Sequence, residues 1–294
     1  MSQPWIIHIF GKLLAALPAP RLLYPLYLAR QLETVEEEYA SALLPKAFDG
    51  LKIAYASDIH YGSLLKEDRV RALAQRINDM QADIVLLGGD YGEDSPGAIR
   101  FFQLHPGFQA GIAVLGAIGN HDRKPPDDLP GLMDEMKKEG VLPICNDAWI
   151  LERQGSSIAF ASTDDFFLGE PDYIKTEQSC RNADFTVYFP HNPDSLPETY
   201  GLFDSSFYQL ALCGHTHGGQ VAVKRHAVIS SSLYGSRFLS GWYRENGADI
   251  MVSNGVGTSK LPVRLGVTPQ IHCITLRRKE KPEMSEQSAK EPGP

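Results

Sequence analysis

Cysteine is scarce. Only Cys145, Cys180, Cys213 and Cys273 occur in 294 residues, and no two stand in Cys-x-x-Cys spacing. That pattern argues against a structural zinc knuckle or a disulfide framework, and leaves small buried hydrophobes of the kind a reducing compartment keeps. Long apolar runs are also missing. Residues 5–17 and 22–28 are mostly apolar, but Pro18 and Pro20 break the stretch before the ~20 residues that a spanning helix needs. There is no basic excess, since 28 Lys and Arg face 36 Asp and Glu. The net charge of −8 gives no electrostatic footprint for a nucleic-acid polymer. No Gly-x-Ser-x-Gly elbow is present, which weakens a serine-hydrolase reading. The opening Met1-Ser2-Gln3-Pro4 lacks the basic start of a secretory signal, so cleavage is not expected. No solenoid-type repeat is visible.

What is present is a series of apolar runs, each ending in metal-competent side chains. Phe207-Tyr208-Gln209-Leu210-Ala211-Leu212-Cys213 leads into Gly214-His215-Thr216-His217-Gly218-Gly219. If the extended backbone continues to the histidines, residues two apart emerge on one side, and His215 and His217 point together. The run at 52–57 leads into Asp58-Ile59-His60, Ile84-Val85-Leu86-Leu87 into Gly88-Gly89-Asp90, and the run at 113–118 into Gly119-Asn120-His121-Asp122. Phe185-Thr186-Val187-Tyr188-Phe189 delivers Pro190-His191-Asn192. Ligands outside the carboxyl ends of strands are where open α/β sheets place their sites. Each group has a bland explanation: Asp58 and Asp90 as helix caps, Asn120 as a turn residue, His191 as a core histidine. Together they would place seven metal-competent residues at five strand ends by coincidence.

The ordered set Asp-x-His, Gly-Asp, Gly-Asn-His-Asp, a lone His and Gly-His-x-His resembles the calcineurin-like metallophosphoesterase family over residues 51–276. The form Gly214-His215-Thr216-His217-Gly218-Gly219-Gln220, with His191-Asn192-Pro193-Asp194 upstream, is most similar to a bacterial branch. That branch includes membrane-associated phosphodiesterases and UDP-2,3-diacylglucosamine pyrophosphatases. The resemblance implies an α/β fold of two packed, mostly mixed sheets flanked by helices around a βαβαβ core. It implies two divalent cations, with Asp58, His60 and His217 on one, Asn120, His191 and His215 on the other, and Asp90 between them. Two divalent cations against two carboxylates leave a surplus of about +2 for a phosphate oxygen and an attacking water. The His, Asp and Asn donors suit Mn, Fe, Zn or Co, without selecting one. In the family, the histidine at the position of His121 protonates the leaving oxygen or stabilises the transition state. Asp122 is expected to accept a hydrogen bond from His121, the alternative being an ion pair with Arg123.

The remaining chain divides into an apolar and amphipathic segment at 1–46, a metallophosphoesterase domain at 47–276 and a disordered tail at 277–294, where Lys, Glu, Ser and Pro dominate. In the first segment, Trp5, Phe10, Leu13, Leu14 and Leu17, backed by Lys12, Arg21 and Arg30, read either as an interfacial membrane anchor or as a helix packed on its own domain or on a partner subunit. Residues 33–38 read as a solvated acidic helix face. Val70, Leu73, Ile77 and Met80 predict a helix over 66–80, residues 129–139 a second that stops at Gly140, and residues 149–161 a hairpin opening a second sheet. Asp164 and Asp165 read as a solvated turn or as groups supporting the site. Arg237 and Arg264, with Tyr243 and His272, are candidates to hold the rest of the substrate, and residues 230–247 to cover a lipid or sugar group. The expectation is a cytoplasmic hydrolase of a phosphodiester or pyrophosphate, either at the inner face of the cell membrane and lipid-linked in substrate, or a soluble general or cyclic-nucleotide phosphodiesterase. The rival outside enzymology is a metal-stabilised scaffold.

Overall fold

The computed structural model describes residues 19–62, 65–203, 205–223, 226–227 and 231–280. The anchor residues proposed at 5–17 and the tail from 281 onward lie outside the described residues.

Two six-stranded sheets stack face to face. The first runs β1 (Glu33–Ser41), β14 (Gln270–Arg278), β2 (Lys52–Ala56), β3 (Ile84–Leu87), β4 (Ala113–Gly116) and β5 (Val141–Pro143). The second runs β12 (Gly241–Glu245), β13 (Ala248–Val252), β9 (Leu210–Cys213), β8 (Phe185–Tyr188), β7 (Ser156–Ser162) and β6 (Asp147–Arg153). A short ribbon pairs β10 (Ala222–Val223) with β11 (His226–Ala227). Neighbours β2, β3, β4 and β5 are parallel, as are β7, β8, β9 and β13, so the carboxyl ends of each parallel set gather at one edge.

Alternation along each strand sorts the core into layers. Ile53, Tyr55, Ile84, Leu86 and Leu115 from the first sheet meet Ile158, Phe160, Phe185, Val187, Leu210, Leu212 and Met251 from the second. The opposite face of the first sheet packs on α2 (Glu67–Asn78), α3 (Ser95–Gln103) and α4 (Leu129–Lys138), through Val70, Leu73, Ile77, Phe101, Phe102, Leu132 and Met136. The outer face of the second sheet carries Cys180 of α5 (Tyr173–Cys180) and Leu196 of α6 (Ser195–Tyr200). Each large apolar side chain sealed in these layers contributes about 2 kcal/mol. Asp94, Asp128 and Asp172 cap α3, α4 and α5, each accepting the amide hydrogen three residues on.

The acidic stretch expected as a helix face is strand β1, which lies parallel to β14 from Glu33↔Gln270 to Ser41↔Arg278. Its period of two, with Tyr39 and Glu37 toward one face and Glu36 and Glu38 exposed on the other, defeats a helical reading. The strand draws residues 33–41 into the sheet, and β14 likewise carries Arg277 and Arg278, placed with the tail on composition, into regular structure. Helix α1 (Ala19–Leu28) contains Pro25, and among the described residues no helix is long and apolar enough to cross a membrane. Part of the loop expected at 230–247 is strand β12.

Candidate metal centre

Five strands end at one place. β2, β3 and β4 deliver Asp58 with His60, Asp90 and Asn120 from the first sheet, and β8 and β9 deliver His191 and then His215 with His217 from the second. The backbone does not run on extended, as the sequence pattern suggested. Asp58, His60, Asp90, His215 and His217 all sit at positive φ, between 49° and 66°. Each such residue costs about 1 kcal/mol or more and persists only where its surroundings over-determine it. Here the amide of Asp58 donates to Gly89 O at 3.0 Å, that of His60 to Asp90 O at 3.0 Å, and that of His215 to Asp58 Oδ1 at 3.0 Å. The left-handed turns aim side chains two residues apart at different neighbours. His217 faces His60 and Asp58, while His215 faces Asn120 and His191.

Glycine makes this crowding possible. A Cβ on Gly214 would stand 2.4 Å from Asp58 Oδ2, and one on Gly119 2.3 Å from Asp90 Oδ1. Gly255, at φ +69°, presses on Asp58 from a third direction, in a loop that the sequence reading did not associate with the site.

The donor spacings fit cations. His60 Nε2 and His217 Nε2 are 3.0 Å apart, and Asp58 Oδ1 is 3.4 Å from His217 Nε2. Asp90 Oδ2 lies 3.6 Å from His60 Nε2 and 3.3 Å from His191 Nε2. His215 Nδ1 is 2.9 Å from Asn120 Oδ1. Donors bound to one ion at about 2.1 Å stand roughly 3.0–3.4 Å from one another. His191 Nδ1 donates to Gly88 O at 2.7 Å, which leaves its Nε2 turned to Asp90. Buried His191 Nε2, the nitrogen that faces Asp90, has no hydrogen-bond partner among the described residues, as expected of a nitrogen that faces an ion.

The electrostatics agree. Burial pushes Asp58 up to about 6, and drives His60 and His217 well below the usual imidazole range and His215 down to about 3. Burial opposes charge on Asp90 and His191 too, but they form an ion pair. His191, with His121, holds Asp90 well below the usual carboxylate range, and Asp90 pushes His191 up to about 10. Three neutral imidazoles and one imidazolium around two buried carboxylates are a donor set short of positive charge.

His121 reaches the same pocket, clustered with His60 and Asp90 within 4.8 Å and 6% exposed. Its Nδ1 donates to Glu93 O at 2.9 Å, and Lys124 Nζ lies 2.7 Å from each of its ring nitrogens. Glu93 Oε1 and Oε2 stand 3.8 Å from His60 Nδ1 and 3.7 Å from His121 Nδ1. The sequence reading missed Glu93 and Lys124, although each lies three residues beyond a site residue on the same loop.

Other assignments are corrected. Asp122 does not bond His121. Its carboxylate accepts the amides of Asp90 at 2.8 Å, Tyr91 at 2.9 Å and Gly119 at 2.8 Å, stitching the β3 loop to the β4 loop. Arg123 pairs with Asp127 at 2.8 Å and Asp164 at 3.5 Å instead. Arg264 is fully buried and offers nothing to substrate. Its guanidinium donates to the carbonyls of His217, Asn254 and Gly257 and lies 3.0 Å from His217 Nδ1, while its amide donates to Pro25 O of α1 at 3.0 Å. Arg237 is engaged by Glu245 and stacks on Tyr234 and Phe238. Tyr243 bonds Ser240, and His272 bridges Glu37 and Ser253. Asp164 and Asp165 form a built turn: Asp165 Oδ2 accepts the amides of Phe167 and Leu168, and Asp164 Oδ2 that of Glu170. Neither Asp58 nor Asp90 caps a helix.

Residues 51–219 match the family model described as calcineurin-like phosphoesterase. The chain is 29% identical over 254 residues to the uncharacterized metallophosphoesterase YkuE of Bacillus subtilis, covering 84% of this chain and 86% of that protein. It is 26% identical over 237 residues to the phosphodiesterase YaeI of Escherichia coli, covering 76% and 82%. Among solved structures, the phosphopantetheinyl hydrolase of Mycobacterium tuberculosis overlaps with a TM-score of 0.42 at 13% identity, covering 72% of this chain and 90% of that one.

Proposed function

Because this chain belongs to the calcineurin-like phosphoesterase family and is therefore a metal-dependent phosphoester hydrolase, we propose that it hydrolyses a phosphodiester or pyrophosphate at a centre for two divalent cations. The observation that carries the reading is Asp90 Oδ2, set 3.6 Å from His60 Nε2 and 3.3 Å from His191 Nε2, where one carboxylate oxygen serves donor groups from both sheets. Asp58, His60, Asp90 and His217 hold one ion, and Asp90, Asn120, His191 and His215 the other. When bound, such ions supply Lewis acidity toward the phosphoryl oxygens and lower the pKa of water at neutral pH.

The chain's own groups do the rest. His121 sits at the pocket's edge, its Nδ1 hydrogen engaged by Glu93 O and its Nε2 2.7 Å from the Lys124 ammonium, so a proton drawn from Lys124 through Nε2 passes to the leaving oxygen. Lys124 adds positive charge beside that atom. Asp122 holds the Asp90 and Asn120 loops in register, and Arg264 fixes His217 against the 254–257 loop.

Similarity to a phosphodiesterase favours a diester. A lipid-linked substrate of the UDP-diacylglucosamine kind, met at the inner face of the membrane, is supported by α1. It exposes Leu23, Tyr24 and Tyr27, and hydrogen-bonds through Pro25 to the loop that ends in buried Arg264. The test is a hydrolysis screen with Mn, Zn or Fe across model phosphodiesters, nucleotides and UDP-diacylglucosamine, with and without detergent. Release of UMP from the last substrate selects the lipid-linked reading, and turnover of the simple diesters alone selects the general one. Loss of metal-dependent turnover on all of them would leave the scaffold reading.

A further inference from the structure

We infer that Phe167 is a stacking platform that selects phosphoesters carrying a planar or apolar substituent on the reacting phosphorus; the inference rests on the proposed hydrolysis at the adjoining centre. The ring of Phe167 lies 5.4 Å from that of His215, tilted by 40°, and 38% of the residue is exposed. An aromatic side chain of this size held at the edge of a polar centre has no core to join.

The loop that presents it is built with more care than a solvated turn requires. Asp165, itself 1% exposed, accepts the amides of Phe167 at 2.8 Å and Leu168 at 2.6 Å through one carboxylate oxygen. Asp164 closes the far side on the amide of Glu170 at 2.9 Å, and Asn146 anchors the base by accepting the amides of Asp164 and Asp172 at 2.9 Å each. Phe166 braces the Phe167 ring edge to face at 5.1 Å. The outer face of Phe167 is therefore fixed beside His215. On the other side of His215, a second loop begins at Ser231, whose hydroxyl donates to His215 O at 3.3 Å, and Leu233 follows at 69% exposure, its amide held by Asp194 Oδ2 at 2.7 Å. The pinned 164–170 loop thus places an aromatic side chain beside one histidine of the centre. The substituent retained on the phosphorus on this side meets an aromatic face, and a nucleobase there gains most from it.

The test uses two diesters with the same leaving group, thymidine 5′-(p-nitrophenyl) phosphate and methyl p-nitrophenyl phosphate, with the Mn-loaded full chain. The wild type should prefer the thymidine ester in kcat/KM. Phe167→Ala should reduce that preference about tenfold, chiefly through KM, and Phe167→Tyr should restore it. A ring that merely shields His215 predicts instead an equal fall on both esters, and that result, or no preference in the wild type, overturns the inference while leaving the hydrolase reading intact. If the wild type turns over neither ester, the hydrolase reading falls and the platform falls with it.

Discussion

Replacing Asp122 by alanine isolates what a buried carboxylate does beside a reaction centre without touching substrate. Its side chain is fully buried and accepts three backbone amides, those of Asp90, Tyr91 and Gly119. In Asp122→Ala those three N–H groups stay buried without partners, at roughly 1–3 kcal/mol each. Allowing for partial relaxation, the loss is on the order of 4 kcal/mol, a large share of the roughly 5–15 kcal/mol that holds a domain folded. In a domain of this size that lowers Tm by about 10 °C. Asp122→Asn keeps one acceptor oxygen and should lose about half as much. The assay is thermal melting in excess EDTA, so that ions do not contribute, alongside isothermal titration of Mn into each variant. Metal affinity should fall with stability, because the same amides set the distance between the Asp90 and Asn120 loops. If Asp122→Ala melts within about 2 °C of the wild type in EDTA yet is inactive, the carboxylate acts in the chemistry and the reasoning fails.

Removing metal with EDTA should abolish hydrolysis and lower Tm, and ions at ~100 times their Kd should restore about 2.7 kcal/mol per ion; metal-free protein with full turnover would contradict the centre. His121→Ala should retain two ions by elemental analysis while losing roughly 10²–10⁴ in kcat. Gly214→Ala forces a methyl group to within 2.4 Å of Asp58 Oδ2 and should cut activity at least about tenfold by displacing that carboxylate; near-normal kinetics would show that the loop yields freely. Burial pushes the thiols of Cys145 and Cys180 up to about 12 and about 11, so the thiolate forms only as pH rises toward those values. At pH 8 iodoacetamide should label the native protein more than about a hundredfold more slowly than the denatured chain.

The strand ends carrying Asp58, Asp90, Asn120, His191 and His215 were legible because parallel strands buried on both faces are written as unbroken apolar runs, and the site lies where those runs stop. The helices at 67–78 and 129–138 were legible from their apolar stripes and Gly140. Strand β1 was not, since an edge strand with one face in water can be written largely in glutamate. The direction of each site side chain was also hidden. Left-handed turns at His60 or His217 leave no mark in a sequence except neighbouring glycines, which have many other uses. Arg264 shows the same limit in reverse: a lone arginine after Pro262-Val263 looks like a substrate clamp, and only tertiary packing reveals that carbonyls take up its donors. Asp122 and Phe167 act through backbone amides and ring faces that come together only in the folded chain.

The donor groups of the centre are divided between two sheets: Asp58, His60, Asp90 and Asn120 ride on one, and His191, His215 and His217 on the other. The gap that two ions must fill is therefore gauged by the side chains packed between the layers, such as Leu115, Phe160, Val187 and Leu212. The sandwich works as a caliper whose jaws are ligands and whose shim is hydrocarbon. Thinning the shim by a methylene or two should detune the reaction before it loosens the fold.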